Sequence, residues 1–246
     1  MPRIGTRKLY YLLQKELQYL NIGRDRLFQI LKANHMLIQP KRSYHITTNS
    51  HHRFRKHKNL IEHLELLRPE QVWVADITYV GNRKNPMYLA LITDAYSKKI
   101  KGYNVSNTLE TKGCLNALKM AHRNREYDHD LIHHSDRGLQ YCSIEYQKLI
   151  NKRNIKCSMT ESYDPYQNAV AERINGILKQ EFLMNTKNID LKSMRTLIKQ
   201  SIEIYNNYRP HLSCSMITPK QMHKQNSIKI KSYKNKNLRE LQLSEI

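Results

Sequence analysis

The sequence predicts an α/β fold: a mixed five-stranded sheet with flanking helices, preceded by a small helical module. Three observations carry that prediction. Between Val72 and Ser106, three β-branched and aromatic runs follow one another across short turns, which reads as an antiparallel meander. Helical and strand-like patterns then alternate as far as Thr160, which makes the sheet mixed. Before Gln39, apolar residues recur at helical spacing instead.

The elements follow in order. In "TRKLYYLLQKELQYL", Thr6 is placed to cap a helix whose Leu9, Leu12, Leu13, Leu17 and Leu20 form one apolar stripe. Asn21 and Gly23 break it, and a second helix turns Leu27, Ile30 and Leu31 inward and Arg24, Arg26, Gln29 and Lys32 outward. Two short helices across a glycine-containing turn suit a helix-turn-helix, and equally a small packed pair with a solvated basic face. This module is expected over 1–45 and a basic linker, including "HHRFRKHK", over 46–68.

The α/β domain is expected over 69–222. Its strands are "VWVADITYV", "PMYLALITDAYS", "KIKGYNVS", "DLIHHSD" and "IKCSMT". A helix carrying Leu115, Leu118 and Ala121 follows the third strand, and "SIEYQKLINKR" follows the fourth. After the loop "ESYDPYQ" come "NAVAERINGILKQEF" and "SMRTLIKQSIEIYNNY" as helices, and residues 223–246 form a basic tail.

Lys and Arg number 42 against 21 acids, a net charge of +21. The surplus is spread out: residues 1–70 hold 14 bases and 5 acids, 71–210 hold 21 and 14, and 211–246 hold 7 and 2. Such a chain concentrates polyanions, of which nucleic acid is the commonest; an AT-rich codon bias toward lysine is the bland rival. Cys114, Cys142, Cys157 and Cys214 are scattered without a CxxC pair, which fits reduced thiols rather than a disulfide framework or a zinc site. No run approaches the ~18 apolar residues a membrane span needs, so the expectation is a soluble intracellular protein without membrane contact.

Against this charge, a few acids stand out. Asp76 lies inside the first strand, on one face with Val72, Val74 and Thr78, where aspartate is disfavoured. Asp136 closes the fourth strand in "HHSDRGLQY". Asp94 closes the second, and pattern alone does not rank it below Asp76. On the helix after the fifth strand, Val170, Ile174, Ile177 and Leu178 gather on one side. Glu172 and Lys179, seven residues apart, align within about 20° on the other. That pair is an ordinary solvated face or a carboxylate and an ammonium for metal and phosphate. Glu181 falls on the apolar side, explained only by fraying at the helix end. Clustered carboxylates suit Mg²⁺, whose charge would let them approach a DNA backbone.

The segments "WVADITYV", "YLALITDAYSKKIKGY", "HHSDRGLQYCS", "SMTESYDPYQNAVAERINGILKQEF" and "YNNYRPHLSCSMITPKQMH", in that order and spacing, resemble the DDE transposases of bacterial insertion sequences. The core of that family is similar to retroviral integrase. More narrowly, they resemble the second-frame product of the group that fuses two overlapping reading frames. The resemblance runs from about Arg3 to His223. It implies a ribonuclease-H-like fold with Asp76, Asp136 and Glu172 as catalytic, metal-binding triad. Asp76 and Asp136 are 60 positions apart, and the 35 residues between Asp136 and Glu172 match the family spacing. The implied cofactor is Mg²⁺ or Mn²⁺, as two ions.

The same resemblance implies nicking at element ends, then attack of the freed 3′-hydroxyl on a phosphodiester. Lys179 matches the family's basic residue for terminal DNA. Arg173 and Arg137, with Arg24, Arg26 and Lys32, complete the residues expected on DNA, while Ser135 and Asn168 match motif positions as support for the site. Gln167 stands where an acid is frequent. The implied partners are double-stranded DNA, as element ends and target, further copies of the chain on that DNA, and a first-frame protein. The implied location is the bacterial cytoplasm, at the nucleoid when bound. The resemblance also leads one to expect sequence upstream of "MPRIGTRKLYYLL" and a separate first-frame helix-turn-helix. Two rival outcomes share these residues: a DNA-binding remnant or regulator without catalysis, and a nuclease that hydrolyses without joining.

Overall fold

In the computed structural model, residues 1–38, 56–81, 86–161, 168–182, 184 and 189–230 are described. The helices before the sheet are α1 (Thr6–Leu12), α2 (Gln14–Tyr19) and α3 (Arg24–Ala33). The strands are β1 (Val72–Gly81), β2 (Pro86–Asp94), β3 (Ile100–Ser106), β4 (Ile132–Ser135) and β5 (Lys156–Met159). Helix α4 (Thr111–Arg123) precedes β4, and α5 (Leu139–Cys142) and α6 (Ile144–Lys152) precede β5. Helices α7 (Ala169–Glu181), α8 (Leu191–Asn207) and α9 (Pro219–His223) follow.

The sheet order is β3-β2-β1-β4-β5. The first three strands pair antiparallel, as a meander must, and β4 and β5 add in parallel beside β1 through their helical crossovers. Alternation along β1 sorts its side chains between two layers. Trp73 and Ala75 join Ala90, Ile92 and the inner faces of α4, α5 and α6. On the opposite face, Leu89 and Leu91 of β2 pack against Ile174, Ile177 and Leu178 of α7 and Met194, Ile198 and Ile202 of α8. Each such fully buried aliphatic side chain contributes about 1.5–3 kcal/mol. One contact fixes how closely α4 lies on the sheet: a Cβ added at Gly102 would stand 2.1 Å from the Ala117 carbonyl oxygen. Only glycine fits there.

The five expected strands and their mixed pairing are present, and several local expectations need correction. The first helix is two, because the chain turns at Leu13 between α1 and α2. Thr6 is not its cap; Gly5 holds that position and makes no side-chain bond. Of the leucine stripe only Leu17 is buried, packed with Leu27 and Leu31, whereas Leu12, Leu13 and Leu20 are exposed. A module of this size has too little facing surface to cover them. Arg24, Arg26, Gln29 and Lys32 do point outward.

Residues 58–66, expected as part of a linker, lie on the sheet instead. Ile61, Leu64 and Leu66 pack beside Val72, Val74 and Ala171, and the Leu60 amide donates to Ser158 Oγ at 2.9 Å. The expected tail is also drawn in at its start, where Tyr96 donates to the Ile228 carbonyl at 2.7 Å. Most of the basic arm, the loop containing Gln167 and the last sixteen residues lie outside the described residues. No described helix is long and apolar enough to cross a membrane.

Candidate active site

The parallel register of β1 and β4 builds the site. Its last pairs are Val74 with His134 and Ala75 with Ser135. The next step along both strands therefore sets Asp76 beside Asp136, on strands about 4.8 Å apart. Sixty positions of sequence are closed by one step of register. Beneath the acids His134 Nδ1 lies 2.8 Å from Ser158 Oγ of β5, which joins the neighbouring strand to this floor.

Both carboxylates are held by local bonds. Asp136 Oδ1 accepts from the Gly138 amide at 3.0 Å, so Asp136 also forms the turn that leads into α5. Asp76 Oδ1 accepts from the Ile77 amide at 2.8 Å and Oδ2 from Asn175 Nδ2 at 2.7 Å. Burial, and after it the charge of Asp136, pushes the Asp76 carboxyl up to about 7 against the pull of those two donors. Glu172 adds a smaller push of the same sign. Its own carboxyl, on the largely exposed side of α7, is raised by partial burial.

Helix α7 supplies the rest. Lys179 is half-buried, which lowers its ammonium, while the field of Asp76 works the other way. Asn168, at the start of the helix, donates to the Ala75 carbonyl at 3.2 Å. Asn168 and Asn175 thus tie α7 to β1 at the residues that carry the acid. The sequence reading missed Asn175, though a signal existed. Asn168 and Asn175 are seven apart, as are Glu172 and Lys179, and all four lie within about 60° of one another on the helix. A polar stripe that narrow beside an apolar one faces something polar.

The other expected site residues are placed as follows. Arg173 is exposed and lines a surface groove along α7 with Glu172, Gly176, Gln180 and Glu181. Its charge is felt at Lys8 and His211. Arg137 is half-buried directly after Asp136. Arg24 pairs with its neighbour Asp25 on the exposed side of α3, at 2.9 Å. Asp94 is buried and fully engaged, accepting from the Glu70 amide, the Ser97 amide and Ser97 Oγ at 2.6 Å each. It is the turn former after β2.

The donor set fits a hard divalent cation. It is all carboxylate oxygen, and Asp76 is pushed up first by burial and then by the neighbouring charge of Asp136, both of which a bound cation would offset. The Oδ1 atoms of Asn168 and Asn175 are buried without a partner among the described residues, leaving acceptors free beside Asp76. Among the described residues, no three metal-ligating side chains converge tightly enough to close a site. The structure thus brings Asp76 and Asp136 together and leaves Glu172 on the rim.

Comparison with known proteins agrees with this architecture. Two models of the integrase core domain match, over residues 67–165 and 153–219. The insertion element IS600 31 kDa protein of Shigella sonnei is 36% identical over 219 residues, covering 87% of this chain and 79% of that one. The transposase InsF for insertion sequence IS3fB of Escherichia coli K12 is 34% identical over 159 residues, covering 64% of this chain and 55% of its own length. Among solved structures, the HTLV-2 integrase catalytic core in complex with magnesium superposes with a TM-score of 0.51 at 21% identity. That match covers 64% of this chain and 98% of the core, and places the fold with the ribonuclease-H-like integrase cores. The chain belongs to the insertion-sequence transposases built on an integrase core domain.

Proposed function

We propose that this protein cuts DNA at the ends of its insertion element and joins the freed 3′-hydroxyl to a target phosphodiester. The observation that carries the reading is the adjacency of Asp76 and Asp136 on neighbouring parallel strands, with Glu172 and Lys179 on the helix docked over them. Family membership supports it, as does the magnesium in the HTLV-2 integrase core. In the joining step a new bond forms between phosphorus and the attacking 3′-oxygen, the target's own P–O3′ bond breaks, and its 3′-oxygen leaves. No protein atom becomes bonded to DNA.

Asp76 and Asp136, with Glu172 closing the set, would hold two Mg²⁺ or Mn²⁺ ions. Such a pair supplies activation of the attacking oxygen and stabilisation of the leaving one. The chain's own residues prepare that site. Asn175 holds one oxygen of Asp76 so that its carboxylate keeps one orientation. Lys179, partly desolvated near Asp76, is set to meet a phosphate of the element end. Arg173, exposed on the same helix, and Arg137, directly after Asp136, would add to the grip on that DNA, and Arg24, Arg26 and Lys32 present a second basic face on α3. The partners are double-stranded DNA, further copies of this chain on paired ends, and a first-frame protein, in a bacterial cytoplasm.

The test uses labelled duplexes from the DNA flanking this protein's gene, incubated with Mg²⁺ or Mn²⁺ and resolved on a denaturing gel. Joined strands that need the metal and vanish in Asp136→Asn are the expected result. Cutting without joining would replace the reading with a hydrolytic nuclease. No product, even with the first-frame protein added, would overturn catalysis altogether.

A further inference from the structure

The C-terminal end of α7 is a junction of three parts of the chain. Glu181, its last residue, accepts a bidentate pair from Arg209, with Nε–Oε2 and Nη2–Oε1 both at 2.7 Å. Lys8 of α1 reaches the same carboxylate at 3.1 Å. The Arg3 amide donates to the Glu181 carbonyl at 3.3 Å, satisfying a group that a helix end leaves open. Burial alone would raise the Glu181 carboxyl, but Arg209 and Lys8 outweigh it and hold it low. Two cations at this end also oppose the negative pole of the helix dipole.

The contact matters because little else seats the N-terminal module. No residue of helix α1 is fully buried. The small core of Leu17, Leu27 and Leu31, with Leu9 and Tyr10, holds α1, α2 and α3 to one another rather than to the sheet. Met1 alone of this region packs with the α7–α8 cluster. Where apolar burial is so slight, a part-buried, hydrogen-bonded ion pair decides the docking. Glu181 is two residues from Lys179 and nine from Glu172, on the same rigid helix.

We propose that Lys8 is a positioning residue: paired with Glu181, it seats the N-terminal helices on the end of the helix that carries Glu172 and Lys179. DNA gripped by Arg24, Arg26 and Lys32 then meets the acids at a fixed offset. The alignment part rests on the transposase reading above, whereas the seating part does not. Substituting Glu181 would strand the buried Arg209, so the informative variants are Lys8→Glu and Lys8→Arg.

Hydrogen exchange on the full chain without DNA reads the seating directly. Lys8→Glu is expected to speed exchange across Thr6–Leu12 about tenfold and leave β1 and β2 unchanged, with Lys8→Arg close to the unmodified protein. Unchanged protection in Lys8→Glu, or equal loss in Lys8→Arg, would overturn the proposal. On end-labelled duplexes from the DNA flanking the gene, Lys8→Glu is expected to spread the cut over several positions where the unmodified protein cuts at one. An unspread cut would overturn the alignment role. If the unmodified protein cuts nothing, the transposase reading and the alignment role fall together, and exchange still decides the seating.

Discussion

Asp76 is a carboxylate placed where burial and the charge of Asp136 make its own charge unwelcome. With its carboxyl near 7, the folded chain binds a proton that the unfolded chain has already lost above about pH 4. Ionised Asp76 therefore costs stability progressively from about pH 4 to 7, and the full cost stands above pH 7. Asp76→Asn should stabilise the metal-free protein by about 1–3 kcal/mol at pH 8 and by much less at pH 5, measured by urea unfolding. The new amide has a ready partner, since a flipped Asn175 would accept from it through the Oδ1 that is now unpaired. Asn175→Ala removes the 2.7 Å donor to Asp76 and should lower the joining rate about tenfold, near 1.4 kcal/mol of barrier, while moving the pH profile upward. An unchanged profile would mean Asn175 only packs.

At the scale of elements, the strands were legible because β-branched runs bounded by turns have few alternatives. The ranking of Asp76 over Asp94 was not, since both sit at apolar strands. Asp94 is consumed by the local turn to the Ser97 amide and by the amide of Glu70, the second a contact that exists only once the chain before β1 has folded over it. Glu181 looked misplaced for the same reason, its partners Lys8 and Arg209 lying far off in sequence. The N-terminal stripe misled in the other direction, since helical periodicity names a face without saying how much of it finds cover. The basic face of α3 came through because exposure is what an outward pattern specifies. Arg24→Ala with Arg26→Ala should weaken DNA binding and reduce the log–log salt slope by about 2, checked by titration across salt.

Across the whole molecule, a buried polar cluster joins segments far apart in sequence. Lys101 Nζ lies 2.7 Å from Glu70 Oε1 and 3.2 Å from His223 Nε2, and His223 Nδ1 lies 2.9 Å from Ser97 Oγ. The amides of Glu126 and Tyr127 donate to Glu70, and Glu126 also pairs with Lys101 and Lys99. The cluster thus ties the entry to β1, the turn after β2, strand β3 and helix α9 together. Burial works against Glu70, but its bonds from His223, Lys101 and Tyr127 bring it down to about 2. Burial likewise opposes a charged His223, and Asp94 and Glu70 raise it nonetheless.

Glu70 therefore contributes stability above about pH 4.5 that is lost as the pH falls toward 2. The contribution of His223 is complete below about pH 6.5 and is lost as the pH rises through its raised value. Glu70→Gln leaves Lys101 buried and should cost about 3–5 kcal/mol at pH 6, with a flatter acid limb in the stability profile. A loss under about 1 kcal/mol would mean the cluster is peripheral to folding.

The central claim is that register alone makes Asp76 and Asp136 one cation-binding site. Mn²⁺ titration followed by electron paramagnetic resonance tests it without DNA or turnover, using the unmodified protein, Asp76→Asn, Asp136→Asn and the surface variant Asp130→Asn. The account predicts that either site substitution weakens binding at least tenfold and that Asp130→Asn leaves it unchanged. Equal Mn²⁺ affinity in all four proteins would contradict it.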